Sequence, residues 1–447
     1  MASCRTRTIA LISYCQLLLI LVIAADVPVE LYSPIIGQKL LKIASNETAG
    51  QYPEYTDREN GAWQYFDPNV WTVGFFPSTL YALNNRSKLC PSLSDGTDWL
   101  SLGRQWSTGE IPYETTNELV HDVGFASFPF QDELLVNSAN QTALTAVNDF
   151  ATDLANRYNP IVGCTRSWDP AEPFEVIIDN MMNLEVLFVS AGLTGNDTLR
   201  QIAISHADHT IANHVRPDGS SFHVVEYDSS TGSVVRRWTA QGYADNSTWS
   251  RGQAWGIYGF AIMFANTGTQ RYLDTSRSMA TYFKNNLPSD GIVPWDFDAP
   301  LTPPRPADTS AATIAATALL LLSRMEQSLS PPNTTGSQIW SDFAIQLLDK
   351  VTTLAWKPSW QSLLSNGTVD NHNQPLNNLT GIVYGDYYYV KAGNDLLSMG
   401  LTQCPSKSST TGSGSSPRPS SSGAATDVSR LLFLVMGVVL AVTSGNL

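Results

Sequence analysis

Two aspartates differ from the other acidic residues of the chain in their sequence surroundings. Asp122 lies in His-Asp-Val-Gly-Phe (121–125), and Asp179 lies in Val-Ile-Ile-Asp-Asn-Met-Met-Asn (176–183). Each follows apolar residues at the predicted start of a helix, and 57 residues separate them. Two carboxyl groups that face one cavity can act as a general acid and a general base. The sequence therefore predicts Asp122 and Asp179 as catalytic residues.

A structural role is the alternative for each aspartate taken alone. Aspartate is a preferred N-cap of helices, and either residue fits that role equally well. The two aspartates are separated by about the length of one predicted helical hairpin, and this pairing favours the catalytic interpretation. A third aspartate, Asp308 in Asp-Thr-Ser-Ala (308–311), is predicted to cap a helix and is assigned a structural role only.

A second group of polar and aromatic residues falls within 33 residues of the chain, at His223, Gln241, Arg251 and Trp255. Arg251 and Trp255 have the spacing i, i+4, which places them on one face of a helix. An arginine beside an aromatic ring can hold a carboxylate and support a stacked ring. The alternative is an arginine–acid pair next to a core tryptophan.

Two aromatic segments begin predicted helices, Trp71–Pro77 and Tyr384–Tyr389. Their side chains could line the mouth of a pocket or belong to the core. We find no Cys/His grouping with metal-ligand spacing, no phosphate-binding loop, no dinucleotide fingerprint and no nucleophile elbow before the C-terminal Ser-rich stretch. We therefore expect neither a metal nor a cofactor.

The elements that must position these residues are mostly helices. Apolar residues recur at i, i+3 and i+4 in twelve segments, and one strand hairpin is predicted for Phe222–Tyr227 with Val234–Trp238. Twelve helices over about 370 residues give one helical hairpin per about 62 residues. We expect an all-α barrel of six hairpins, with an open superhelix as the alternative. The predicted helices are 34–46, 71–84, 93–106, a short one near 120–130, 141–157, 179–192, 197–214, 252–266, 270–286, 309–326, 338–353 and 384–399.

The composition excludes several classes of protein. The 447 residues include 43% hydrophobic and 15% charged residues, which rules out a disordered polyelectrolyte. With 40 acidic against 26 basic residues the formal net charge is −14. A nucleic-acid partner is not expected because binding to phosphates asks for a basic face.

The ends of the chain predict export and a lipid anchor. Arginines, an apolar run (9–23) and two alanines make a secretory signal peptide of residues 1–25. A single domain (26–405) follows, then a Ser/Thr/Gly/Pro-rich stalk (406–423) and a glycosylphosphatidylinositol (GPI) attachment propeptide (424–447). A retained signal anchor and a C-terminal membrane span are the weaker alternatives because both apolar runs are short.

The sequons and cysteines of the chain are consistent with an extracellular protein. We expect it on the outer face of the plasma membrane or in the cell wall. Three cysteines remain after the signal, Cys90, Cys164 and Cys404, so one disulfide and one free thiol are expected, with the pairing open. Eight Asn-x-Ser/Thr sequons are spread along the chain, at Asn46, Asn85, Asn140, Asn196, Asn246, Asn333, Asn366 and Asn378.

Six segments in order resemble glycoside hydrolase family 88, the unsaturated glucuronyl hydrolases. They span nearly the whole predicted domain, and the related family 105 shares the fold and chemistry. The resemblance implies an (α/α)6 barrel. The segments are WTVGFFPSTLY (71–81), HDVGF (121–125), IIDNMMNLE (177–185), WSRGQAWGIYGF (249–260), DTSAATIAATALL (308–320) and YGDYYYVKA (384–392).

The resemblance also implies a reaction and a set of site residues. Such enzymes remove a Δ4,5-unsaturated uronic acid from the non-reducing end of lyase-generated oligosaccharides by hydrating the C4=C5 bond, without a cofactor. Asp179 would be the general acid/base and Asp122 would assist. The residues matched to the sugar are His121, Phe75, Trp71, His223, Gln241, Arg251 and Trp255, with Trp168 or Tyr388 stacking on it.

Three functions are weighed against one another at this point. An unsaturated uronyl hydrolase, acting as a monomer on an unsaturated uronic-acid oligosaccharide, is the leading interpretation. An inverting glycosidase on saturated polysaccharide would use the same two carboxyl groups with a water between them. A non-catalytic cell-surface sugar-binding protein is the third, and the two aspartates argue against it because binding alone would tolerate amides.

Overall fold

The computed structural model describes residues 26–46, 50–169 and 173–405. The predicted signal peptide (1–25), stalk (406–423) and attachment propeptide (424–447) lie outside the described residues. Thirteen α-helices occur in the described part: α1 (Pro34–Asn46), α2 (Phe75–Leu89), α3 (Trp99–Ser107), α4 (Val123–Ala126), α5 (Phe128–Val136), α6 (Gln141–Asn156), α7 (Glu185–Thr194), α8 (Asp197–Asn213), α9 (Ser250–Thr267), α10 (Gln270–Asn285), α11 (Thr309–Ser328), α12 (Thr334–Ala355) and α13 (Val383–Ser398).

These helices form two concentric layers, which confirms the predicted (α/α)6 barrel. The inner layer contains α2, α5, α7, α9, α11 and α13, and α13 packs on α2 to close it. Helices α3, α6, α8, α10 and α12 pack outside. Helix α1 completes the outer layer, where Lys39 donates to the carbonyls of Lys357 and Ser362, just beyond α12. Each hairpin thus supplies one outer and one inner helix.

The inner helices α9 and α11 are buried on almost every side because they face both the outer layer and the barrel axis. Every residue of α9 from Ser250 to Phe264 is buried. Small residues make this possible: a Cβ on Gly259 would lie 2.5 Å from the Cβ of Met181. A helix enclosed on every side loses the one-sided apolar pattern of a surface helix.

In the described residues, nine short strands lie in the connections between helices. They form antiparallel pairs β1 (Tyr52–Thr56) with β2 (Trp63–Phe66), β3 (Tyr158–Asn159) with β4 (Cys164–Thr165), and β8 (Gly367–Asp370) with β9 (Asn377–Thr380), and one three-stranded sheet of β5 (Phe174–Ile177), β6 (Val224–Tyr227) and β7 (Val234–Trp238). The predicted hairpin is confirmed as β6–β7, with Val224 opposite Trp238.

The structure corrects two predicted helices at the site. The helix predicted near 120–130 is two short helices, α4 and α5, and Pro129 opens the second. The helix predicted for 179–192 begins as a 3-10 turn, Ile178–Met182, and α7 follows only at Glu185. Strand β5, which was not predicted, runs directly into that turn. Asp179 therefore lies in a 3-10 turn just after a strand, not in an α-helix.

The two aspartate-bearing segments touch where Gly124 meets Asn183. A Cβ on Gly124 would lie 2.4 Å from the Cα of Asn183, so only glycine permits this approach. Asn183 also accepts a hydrogen bond from the backbone N–H of Phe125 at 3.1 Å. This contact joins α4 to the 3-10 turn and brings Asp122 towards Asp179.

Cys90 and Cys404 form a disulfide, and Cys164 is a buried free thiol. The expected count of one bridge and one thiol is confirmed, and the bridge ties the end of α2 to the chain after α13. None of the helices in the described residues has the length and apolarity needed to span a bilayer.

We predict that Gly124→Ala lowers the free energy of unfolding by about 1–3 kcal/mol, because the added methyl group overpacks the contact with Asn183. Chemical denaturation followed by circular dichroism measures this change. The matched control is Gly385→Ala in α13, where a Cβ has only ordinary contacts of 3.4 Å or more, so no loss is expected. Equal stability of Gly124→Ala and wild type would contradict the proposed contact.

Candidate active site

Neither aspartate of the predicted pair caps a helix. Asp122 occupies the N-cap position of α4, but its side chain makes no capping hydrogen bond. Asp179 lies inside the 3-10 turn, one residue after its start. The structure therefore does not support the capping alternative for either residue. Oδ2 of Asp179 is buried and has no hydrogen-bond partner among the described residues, so it is available to a bound ligand.

The environment raises the pKa of both carboxyl groups. Burial is the main cause for Asp122, whose pKa lies well above its ordinary value, and the charge of Asp179 raises it further. Burial raises the pKa of Asp179 to about 7, while the nearby Arg251 opposes the rise. The Asp122 side chain keeps 13% of its surface exposed, so a ligand can reach the pair. Both carboxyl groups therefore keep a proton to higher pH than a solvated aspartate does, and Asp179 changes its form near neutral pH.

His121 has its donor and acceptor atoms fixed by its neighbours. Its Nδ1 lies 2.6 Å from the carbonyl oxygen of Ser167, so Nδ1 carries the hydrogen and donates it. Burial lowers the pKa of His121 to about 3, which keeps the ring neutral. Its Nε2 therefore presents a lone pair, 3.4 Å from Oδ1 of Asp122.

His223 has the opposite arrangement. The backbone N–H of Ala240 donates to its Nδ1 at 3.3 Å, so the hydrogen of the neutral ring is on Nε2. Burial and the charge of Arg251 lower the pKa of His223 well below its ordinary value. The Nε2–H is buried and has no hydrogen-bond partner among the described residues. It is a donor available to a bound ligand.

Arg251 lies almost fully buried at the first turn of α9. Its Nη1 donates to Oδ2 of Asp308 at 2.9 Å and to the carbonyl of Thr368, and its Nη2 donates to the carbonyl of Val369 at 2.8 Å. Gln241 donates to the same carbonyl of Val369 at 3.1 Å. Strand β8 thus holds both residues in place. Asp308 also caps α11, as the sequence predicted.

A series of side chains in successive contact lies beside the carboxyl pair, and we call it the ring wall: His121, Trp168, His223, Trp249, Arg251, Tyr384, Trp71 and Phe125. Neighbouring ring centroids are 6.5 Å apart for His121–Trp168, 6.3 Å for Trp168–His223, 4.4 Å for His223–Trp249, 4.8 Å for Tyr384–Trp71 and 5.6 Å for Trp71–Phe125. Arg251 links the two runs of rings, with its guanidinium carbon 4.5 Å from the ring of Trp249 and 5.6 Å from that of Tyr384.

The structure thus brings the sequence-predicted residues to one place but in two layers. Trp71, Trp168, His121, His223 and Arg251 belong to the ring wall. The rings of Phe75, Trp255 and Tyr388 pack behind it: Trp255 lies 5.2 Å from Phe125 and 5.6 Å from Tyr388, and Phe75 lies 5.8 Å from Trp71.

Sequence reasoning missed four residues of the site, Phe125, Trp249, Tyr384 and Asn183. All four lie in segments that the sequence analysis named, and Tyr384 is one helical turn before the predicted Tyr388. Spacing alone does not tell which of several aromatic neighbours faces a cavity. For metals, no cluster of three or more His, Cys, Asp or Glu side chains is suitably placed in the part of the chain that the structure describes.

Such a site can exchange protons with a polar ligand that stacks on rings. It offers two carboxyl groups with raised pKa values, of which Asp179 titrates near neutrality, together with a histidine donor, a histidine acceptor and a guanidinium. Aromatic faces combined with sparse polar groups are typical of pockets for small ligands such as sugars.

Comparison with known proteins gives one consistent group of relatives. No known protein-family model matches the chain. An unsaturated glucuronyl hydrolase of Formosa agariphila is 34% identical over 333 residues, 72% of this chain and 78% of the relative. An unsaturated chondroitin disaccharide hydrolase of Streptococcus agalactiae is 28% identical over 341 residues, 74% of this chain and 83% of the relative.

The fold leads to the same group. The crystal structure of an unsaturated glucuronyl hydrolase from Bacillus sp. GL1, responsible for glycosaminoglycan degradation, superposes with a TM-score of 0.73. That match is 27% identical and covers 82% of this chain and 94% of the bacterial chain.

The raised pKa of Asp179 makes stability depend on pH. The folded protein holds a proton on Asp179 between the ordinary pKa of 3.8 and about 7, and the unfolded chain does not, so this group removes stability as the pH rises through that window. We predict that Asp179→Asn gains about 2–4 kcal/mol relative to wild type between pH 4 and pH 7.5.

Denaturant titrations of both proteins at the two pH values measure that gain. Asp98→Asn serves as control, because Asp98 is an exposed cap of α3 whose pKa is lowered rather than raised. A constant difference between Asp179→Asn and wild type across the window would show that Asp179 titrates normally.

Proposed function

The chain belongs to the unsaturated glucuronyl hydrolase family of glycoside hydrolases, and on that basis we propose that it removes a Δ4,5-unsaturated uronic acid from the non-reducing end of lyase-generated oligosaccharides. The observation that carries the proposal is the buried pair Asp122 and Asp179: burial raises the pKa of both carboxyl groups, that of Asp179 to about 7. Hydration of an enol ether needs both a proton donor and, later, a proton acceptor at the same place.

Asp179 is proposed to act in both steps. Its O–H gives the proton to C4, and the electrons of the C4=C5 bond form the new C4–H bond. The positive charge that develops at C5 is shared with the ring oxygen. Water then attacks C5 and returns a proton to the Asp179 carboxylate. The resulting hemiketal opens and releases the remaining saccharide as an alcohol, so the enzyme ends in its starting state.

The other residues of the ring wall are assigned to binding. Arg251 and the Nε2–H of His223 offer positive potential and a donor to the carboxylate and hydroxyls of the sugar. Asp122, next to the neutral His121, contacts the sugar hydroxyls and leaves Asp179 as the group that titrates. Trp168 and Trp71 offer ring faces for stacking. Gln241 and Arg251 both donate hydrogen bonds to the carbonyl oxygen of Val369 in strand β8.

We predict that Asp179→Asn lowers kcat on an unsaturated uronyl disaccharide by about 10²–10⁴-fold, the usual contribution of a general acid/base. The reaction is followed by loss of the ultraviolet absorbance of the conjugated uronate. Asp132→Asn is the matched control: Asp132 is also buried with its pKa raised to about 7, but its charged neighbours are Lys391 and Glu185. Its kcat should stay within a few-fold of wild type.

The saturated form of the same disaccharide distinguishes the rival enzyme. Hydration requires the double bond, so the saturated sugar should remain intact. An inverting glycosidase would cleave it. Cleavage of the saturated disaccharide, or unchanged turnover in Asp179→Asn, would contradict the proposed reaction.

We also propose that the protein acts outside the cell and is held there by a GPI anchor. The support comes from the sequence at residues 1–25 and 424–447 and from exposed sequon asparagines in the described residues, Asn85, Asn196 and Asn246. Phosphatidylinositol-specific phospholipase C should release the activity from intact eukaryotic cells that express the full chain. Activity that stays with the cells, while a known GPI-anchored enzyme is released from them, would contradict the anchor.

A further inference from the structure

Arg251 and Asp308 form an ion pair that is almost completely withdrawn from solvent. Nη1 and Oδ2 are 2.9 Å apart, and the two side chains are 2% and 0% exposed. We propose that Asp308 is a positioning residue of the reaction, which fixes the guanidinium of Arg251 and offsets the charge that it presents to Asp179. This inference rests on the proposed function and extends the capping role predicted from the sequence.

The capping role and the ion pair use different oxygen atoms of Asp308. Oδ1 accepts hydrogen bonds from the backbone N–H groups of Ser310 at 3.0 Å and Ala311 at 3.3 Å, and from the Ser310 hydroxyl at 2.6 Å. Oδ2 receives only Arg251 among these contacts. One acceptor oxygen is enough for a helix cap. The second oxygen of Asp308 and the negative charge therefore serve the ion pair with Arg251.

Asp308 and strand β8 determine which edge of the guanidinium is free. Both hydrogens of Nη1 are used by Asp308 and the carbonyl of Thr368, and one hydrogen of Nη2 is used by Val369. The remaining N–H groups belong to Nη2 and Nε, which share one edge. That edge has the geometry for two parallel hydrogen bonds to a carboxylate, and the uronic acid supplies one.

The charge of Asp308 acts on Asp179 through Arg251. The ionisable groups that face Asp179 are Asp122 and Arg251, and His223 beside Arg251 is neutral. Asp308 itself is faced by Arg251 and by Tyr384, whose pKa is raised so that the phenol is uncharged. Without Asp308, Arg251 would act on Asp179 as an uncompensated cation and would lower its pKa further.

The test compares Asp308→Asn with wild type by measuring kcat/KM against pH on an unsaturated uronyl disaccharide. The amide keeps an acceptor for the cap and loses the charge. We expect the alkaline limb of the profile, where protonated Asp179 is lost, to move to lower pH by about one unit. We also expect KM to rise about tenfold because the guanidinium is less fixed.

Asp308→Ser is the second variant, because a serine hydroxyl also caps a helix and leaves room for a water beside Arg251. Thermal unfolding shows which variants keep the native fold. Asp98→Asn is the matched control, a cap of α3 that accepts from Ser101 N–H at 3.1 Å and lies outside the site. Its profile should equal that of wild type.

Folded Asp308→Asn or Asp308→Ser with an unmoved alkaline limb would overturn the proposal and leave Asp308 as a helix cap. A limb that moves in Asp308→Ser as well as in Asp308→Asn supports it. Failure of the proposed function would give a different result, because wild type itself would then show no turnover of the disaccharide.

Discussion

The burial of two carboxyl groups beside one another is the constraint on which this site depends. In water an aspartate loses its proton far below neutral pH, with a pKa of about 3.9. Inside the barrel, loss of hydration raises the pKa of Asp122 and Asp179, and the charge of Asp179 acts further on Asp122. Arg251 limits the rise at Asp179. Burial raises the pKa of Asp179, and Arg251, which is paired with Asp308, lowers it. The balance of these two effects sets the acidity of Asp179 that the reaction needs.

The barrel produces this balance through close packing of backbone rather than through the two aspartates themselves. Gly124 lets α4 reach Asn183, and Gly259 lets α9 reach Met181, so the strand-to-turn segment that carries Asp179 is enclosed. The ring wall lies beside this segment, with His121 next to Asp122 and Arg251 near Asp179. Its polar members are locked from outside, His121 by Ser167, His223 by Ala240 and Arg251 by Asp308 and β8.

Much of this arrangement could be predicted from the sequence. Helical periodicity and the count of hairpins predicted the (α/α)6 barrel, and the paired context of Asp122 and Asp179 singled out the carboxyl groups. The i, i+4 spacing of Arg251 and Trp255 correctly placed them on one helix, but only Arg251 belongs to the ring wall, and Trp255 packs behind it. Periodicity fixes a helix face and does not fix its depth in the fold.

Other features of the site could not be predicted from the sequence because they depend on contacts between distant segments of the chain. Strand β5 has only four residues, one of them Glu175, and shows no clear pattern of its own. Its partner β6 lies far along the chain, so Asp179 was placed at a helix start. Tyr384 reaches the site through contacts with Trp71 and Arg251, which are remote in the chain. Asp308 was recognised as a cap because capping is local. An arginine–acid pair was considered for Arg251, but the sequence did not indicate that Asp308 is the acid.

The acidity of Asp179 is the central claim, and carbon-13 NMR of the aspartate carboxyl groups tests it most directly. The Asp179 resonance is assigned by its absence in Asp179→Asn and followed from about pH 3 to about pH 9, a range that includes both the ordinary aspartate pKa and neutral pH. The account predicts a midpoint of about 7. A midpoint near the ordinary value of about 3.9 would mean that Asp179 holds no proton to give at neutral pH.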